Sequence, residues 1–112
     1  MSKKTIYLKA VVDTGATQFA TKYLRNFDLT QITEIIITPV EHDGIMVTFF
    51  FNTSGNMYMQ IDVLGAFCVG YRGEGPWGLH DLMTDAGFSE YTASRVFEIS
   101  RYAETILIKE SW

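Results

Sequence analysis

The sequence predicts an α+β fold: a single two-layer domain in which an antiparallel or mixed sheet of about five strands carries helices on one face. Three observations carry this. Apolar residues switch between a two-residue and a 3.6-residue period in the order β-α-β-β-β-α-α-β. The segments are joined by short turns rich in Gly, Asn, Asp and Thr. The chain has 112 residues, 47% of them hydrophobic, which is enough for one core and too few for two. Residues 1–112 therefore read as one domain.

Thr5 to Val12 alternates Ile6, Leu8 and Ala10 with Tyr7, Lys9 and Val11, a strand pattern, and Asp13-Thr14-Gly15 is a turn. From Thr17 the period lengthens. Phe19, Ala20, Tyr23, Leu24 and Phe27 fall on one face of a helix, with Thr17 at its N-cap and Lys22 and Arg25 near the negative end of its dipole. Ile32 to Val40 and Ile45 to Phe51 are β-branched and aromatic runs across a Glu41-His42-Asp43-Gly44 turn, which makes a hairpin. After Asn52-Thr53-Ser54-Gly55-Asn56, the run from Met57 to Val69 sets Met57, Met59, Ile61 and Val63 against Tyr58, Gln60 and Asp62. That completes an antiparallel meander, with Gly65 read as a bulge or a close backbone approach.

Pro76 opens the next helix, over 76–86. Leu79, Leu82, Met83 and Ala86 share a face, Gly87 takes the left-handed position after the last turn, and Phe88 packs back. Ser89 caps a second helix over about 90–100, where β-branched and aromatic residues also permit a strand. Thr105 to Lys109 returns to the sheet. Phe49-Phe50-Phe51 must place an aromatic on each sheet face. The outer face is then either an apolar patch suited to a homodimer or another partner, or is buried by curling of the sheet.

The totals narrow the function classes. A formal charge of −4 argues against nucleic acid as partner, since that affinity rests on many Lys and Arg contacts. No apolar run is long enough for a membrane span, and Lys9 interrupts what a signal peptide would need. Cys68 is the single cysteine, so no intrachain disulfide can form, and a reducing, cytoplasmic location is expected. No spacing matches a zinc or calcium site, so no metal and no cofactor are expected; His42 is a lone imidazole, and His80 and Asp81 are adjacent on a helix.

The densest local signal lies between a strand and a helix, where Gly73-Glu74-Gly75-Pro76-Trp77-Gly78 spells G-x-G-x-x-G and follows Arg72. Glycines there let backbone N–H groups approach an anion at a helix N-terminus, and Arg72 adds a forked cation. The chain is too short for the two halves of a dinucleotide fold, Pro76 lacks one N–H donor, and Glu74 repels anions. What remains is a strand-to-helix corner over 70–78 that displays Tyr71, Arg72 and Trp77 around Gly73 and Gly75. The same glycines also serve as plain turn formers, with Trp77 a core anchor.

A second stretch, Val11-Val12-Asp13-Thr14-Gly15-Ala16-Thr17, resembles the active-site signature of retroviral-type aspartic peptidases, and Cys68-Val69-Gly70 is similar to a later element of that family. The resemblance implies a homodimer in which each chain supplies Asp13 to a carboxylate pair that shares a proton and activates water. The family places another strand before the one leading to the Asp, whereas only twelve residues precede Asp13 here, and a helical stripe follows Thr17.

The first expectation is a small, soluble, non-enzymatic binding or accessory protein, of a size common among bacterial and phage accessory proteins. It would recognise a small anionic or nucleotide-like ligand, or a protein partner, through Tyr71, Arg72, Gly73, Gly75 and Trp77. The alternative is the peptidase.

Overall fold

The computed structural model describes residues 5–42 and 44–110. Five strands and three helices follow one another as β1 (Ile6–Asp13), α1 (Thr17–Leu24), β2 (Ile32–Pro39), β3 (Ile45–Ser54), β4 (Met57–Leu64), α2 (Glu74–Asp85), α3 (Glu90–Ser94) and β5 (Thr105–Ile108). Single 3-10 turns, Leu29–Gln31 and Arg95–Phe97, precede β2 and extend α3. The sheet order is β1-β4-β3-β2-β5. β2, β3 and β4 form the antiparallel meander, β5 adds to β2 antiparallel, and β1 lies parallel to β4, so the sheet is mixed.

Alternation decides which side chains meet the helices. Val12, Ile61, Val63, Val47, Phe49, Phe51, Ile35, Ile37 and Leu107 all fall on one face and are buried. Against them pack Ala20 and Leu24 of α1, Leu79, Leu82 and Met83 of α2, and Ala93 of α3 with Val96 after it. The aromatic triplet divides as its period requires: Phe49 and Phe51 go under the helices and Phe50 goes to the other face.

Several local details differ from the sequence reading. Ala16, not Thr17, is the N-cap of α1; Thr17 is the first helical residue, and its hydroxyl donates to the carbonyl of Ala66. β4 stops at Leu64, because Gly65 (φ +83°) turns the chain out of the sheet; of the two roles expected of it, the close backbone approach is present, to Thr14 O, and the bulge is not. α2 starts at Glu74 after Gly73, so Pro76 is its third residue, still in the first turn where an N–H has no intrahelical acceptor. The predicted end of α2 is present in full. Gly87 has φ +97°, its N–H donates to Thr84 O and that of Phe88 to Met83 O, and Phe88 is buried. Ser89 caps α3 by accepting the N–H of Thr92, but the α-helix lasts only to Ser94. Of the Glu41 to Gly44 turn, Asp43 lies outside the described residues; His42 takes φ +62°.

Candidate functional site

The corner between β4 and α2 is held by close approaches that only glycine permits. Gly70, at φ +88°, donates its N–H to Val96 O, which ties the corner to the segment after α3. A Cβ on Gly75 would sit 2.9 Å from the backbone nitrogen of Cys68, and one on Gly78 would sit 2.5 Å from the Thr17 methyl. Gly75 thus presses α2 onto the backbone at 67–68, and Gly78 presses it onto α1. Gly73 lies under the ring of Tyr71, whose edge a Cβ would meet at 2.5 Å. Packing accounts for the glycines at 75 and 78, whereas at Gly73 the neighbour is the movable ring of half-exposed Tyr71.

Around this frame the displayed side chains form two adjoining surfaces. In the first, the Arg72 guanidinium carbon stands 4.6 Å from the centre of the Phe97 ring and 5.9 Å from that of Trp77. Trp77 in turn packs on Phe97 (4.6 Å between centroids) and edge-on to His80 (5.2 Å), and remains 43% exposed. The second surface is a cleft of about 450 Å³ between Val69, Gly70 and Tyr71 on one side and Glu98 to Tyr102 on the other. Tyr71 and Tyr102 are exposed aromatic walls, and Arg101 donates from Nε to the Tyr102 hydroxyl at 3.3 Å. Burial, together with the neighbouring Cys68, pushes the Tyr71 phenol above its ordinary value.

Charge is distributed unevenly here. The chain has four arginines, and three of them, Arg72, Arg95 and Arg101, belong to the corner and the segment it contacts. Among the described residues none of these three makes an ion pair, whereas Arg25 pairs with Asp85 at 2.7 Å. Glu98 is the acidic residue lining the cleft.

Below the aromatic cluster, His80 links α2 to α3. Its Nδ1 is 3.0 Å from Asp81 and its Nε2 is 3.0 Å from Glu90, which also accepts from the Ser94 hydroxyl. Burial opposes a charge on the imidazole, but the two carboxylate hydrogen bonds outweigh it and hold its pKa above the ordinary value. Glu90 is correspondingly lowered by its bonds from His80 and Ser94. Both ring nitrogens are engaged, so this residue clamps two helices and offers no free lone pair for proton abstraction. Among the described residues no group of three His, Cys, Asp or Glu side chains is placed to hold a metal.

Asp13 ends β1, and the chain enters α1 four residues later, where the peptidase family continues in strands. Thr14 Oγ1 accepts the N–H of Ala16 within the turn, and Gly65 lies so close that a Cβ would stand 2.9 Å from Thr14 O. Among the described residues the Asp13 carboxylate makes no hydrogen bond or ion pair.

Tyr71, Arg72 and Trp77 are therefore at one corner, with Gly73 and Gly75 as spacers. Sequence reasoning does not connect them with Phe97, Arg101 and Tyr102. The outward signal is small: Arg95, Phe97, Arg101 and Tyr102 form a basic and aromatic run, but it takes the fold, through the Gly70–Val96 hydrogen bond and the packing of Phe97 on Trp77, to bring it to the corner. A second cluster is equally silent in the sequence. On the outer sheet face Thr48 donates to Asp62 (2.8 Å), Gln60 donates to the same oxygen (3.0 Å), Tyr7 donates to Gln60 (2.7 Å), and Lys9 pairs with Asp62 at 3.6 Å.

The fold and site together define an α+β two-layer domain with an aromatic, arginine-bearing corner. Comparison of the chain with protein-family models, curated proteins and solved structures yields no match in any of the three.

Proposed function

We propose that this protein is a non-enzymatic binding module whose corner, Tyr71, Arg72 and Trp77 with Arg101 and Tyr102, takes the anionic group of a small, planar, nucleotide-like ligand. The observation that supports this most is the placing of Arg72 and Arg101, neither with a carboxylate partner among the described residues, beside the exposed rings of Trp77 and Tyr102 on a chain that is acidic overall. A guanidinium stacked on rings is already oriented, so less freedom is lost when its donors meet a phosphate or carboxylate. The aromatic walls supply stacking area for a planar body, and the cleft has the size of a small-ligand site. The role in this reading is that of an accessory protein in the cytoplasm. The single, half-buried Cys68 suits a reducing compartment, and no described helix is long and apolar enough to cross a membrane.

A thermal-shift panel of nucleotides and anionic metabolites tests the proposal. A true ligand at a hundred times its Kd adds about 2.7 kcal/mol of stability. Arg72→Ala and Arg101→Ala should each abolish that gain while leaving the unliganded melting curve nearly in place. A panel in which no anion stabilises the protein would falsify the reading.

A further inference from the structure

Among the described residues, the face of the sheet away from the helices has no layer over it. Its side chains fall into transverse rows set by the strand register. One row runs Lys9, Gln60, Phe50, Glu34, Ile108 from β1 to β5, and the next runs Val11, Asp62, Thr48, Ile36, Ile106. Val11, Ile106 and Ile108 are exposed, and Phe50 and Ile36 are half-buried. The polar centre is complete within the chain: Asp62 takes bonds from Thr48 and Gln60 and the charge of Lys9, and among the described residues no buried side-chain polar atom lacks a partner. Such a face can be covered without leaving a new orphan polar group.

We infer that this face is a homodimer interface, in which two copies stack sheet on sheet about a two-fold axis parallel to the strands. Two observations choose a second copy as the occupant. The first is charge. Lys9 on β1 and Glu34 on β2 share a row but lie three strand spacings apart, about 14 Å. That is too far for them to pair within one chain, and Glu34 makes no ion pair among the described residues. A two-fold along the strands, passing between β4 and β3, reverses the strand order and keeps each row on itself. It therefore sets Lys9 of each copy over Glu34 of the other, and Val11 over Ile36 in the next row. Each of the two symmetry-related ion pairs then has an apolar contact beside it. The second observation is area. The four strands that overlap, each about eight residues long, make a face of about 19 by 26 Å. Side chains roughen that face, so two copies stacked about 10 Å apart approach the ~800 Å² per partner of a standard interface.

The test is a mixing experiment in sedimentation velocity at about 100 μM, where an interface of this size should be occupied. Wild-type protein should sediment as a dimer, and Lys9→Glu and Glu34→Lys should each sediment as a monomer with a native circular-dichroism spectrum. Mixing the two variants should restore a dimer. The carboxylate introduced at position 9 then meets the ammonium introduced at position 34, while the other pair is the native Lys9 with the native Glu34. If Lys9→Glu does not fold, because Asp62 is its neighbour, Val11→Glu with Ile36→Lys repeats the test one row away. A monomeric wild type, single variants that remain dimers, or a mixture that stays monomeric would each overturn the inference.

Discussion

Phe49 and Phe51 lie under the helices with almost no exposed surface, while Phe50 between them lies on the outer face and keeps part of its ring in water. The inner face is covered by elements from elsewhere in the chain, so every position on it can be apolar. The outer face has no such layer within the chain. Lys9, Gln60 and Tyr7 lie across it, and its centre is a carboxylate satisfied by Thr48, Gln60 and Lys9 instead of a hydrocarbon packed by other hydrocarbons. The difference teaches that burial and hydrophobicity are separable: Asp62 and Thr48 are as hidden as the residues of the core and are held by different forces.

The widest expected gap lies between neighbouring aromatics. Phe49→Ala should cost about 3–5 kcal/mol through lost transfer energy and a cavity. Phe50→Ala should cost less, about 1–2 kcal/mol, because that ring is only partly buried and its loss leaves no enclosed cavity. Urea unfolding midpoints decide it, and equal losses would break the distinction between the faces. The next effect tests the polar centre. Asp62→Ala strips Thr48, Gln60 and Lys9 of a shared acceptor and should cost about 1–3 kcal/mol. Asp62→Asn, which keeps an acceptor oxygen for Thr48, should recover part of that loss in thermal melts. On the helix side, Gly75→Ala drives a methyl against the Cys68 backbone and should cost about 1–3 kcal/mol by overpacking. A substitution there with no effect would mean that the corner yields more easily than its contacts imply.

The smallest expected effect is a pH dependence confined to the helical layer. The folded pKa of His80 is raised, so the stability it contributes is fully present below the unfolded value near 6.5 and is lost as pH rises through the folded value. The melting temperature should therefore fall across that window in the wild type, and His80→Gln should flatten the slope. An unchanged slope in the variant would remove His80 from the account.

Much of this architecture is legible in periodicity. The meander, the amphipathic α1 and the Gly87–Phe88 helix end depend on residues close in sequence, and the pattern reveals them. What escapes depends on partners far apart. The end of β4 at Gly65 is set by the Thr14 turn on a distant strand. The burial of Asp62 follows from its position beside Lys9 and Thr48 on two flanking strands, which no local pattern reports. At the corner Tyr71, Arg72 and Trp77 are visible as exposed residue types, but Phe97 and Arg101 reach them through tertiary contacts such as Gly70–Val96 and Trp77–Phe97.

The parallel pairing of β1 with β4 also has a consequence in time. Ile6 pairs with Met57 and Asp13 with Leu64, a constant separation of fifty-one positions, the difference between 57 and 6. The hairpins of the meander close over a few residues. Closing a loop of the longer length costs about 2 kcal/mol more in chain entropy, before any contact between the two strands repays it. β2, β3 and β4 can therefore associate early, while β1 waits for a completed edge to dock against. Lys9 arrives with β1, so the Asp62 carboxylate gains its cation only when that edge closes. The first strand in the chain joins only after the meander it closes on.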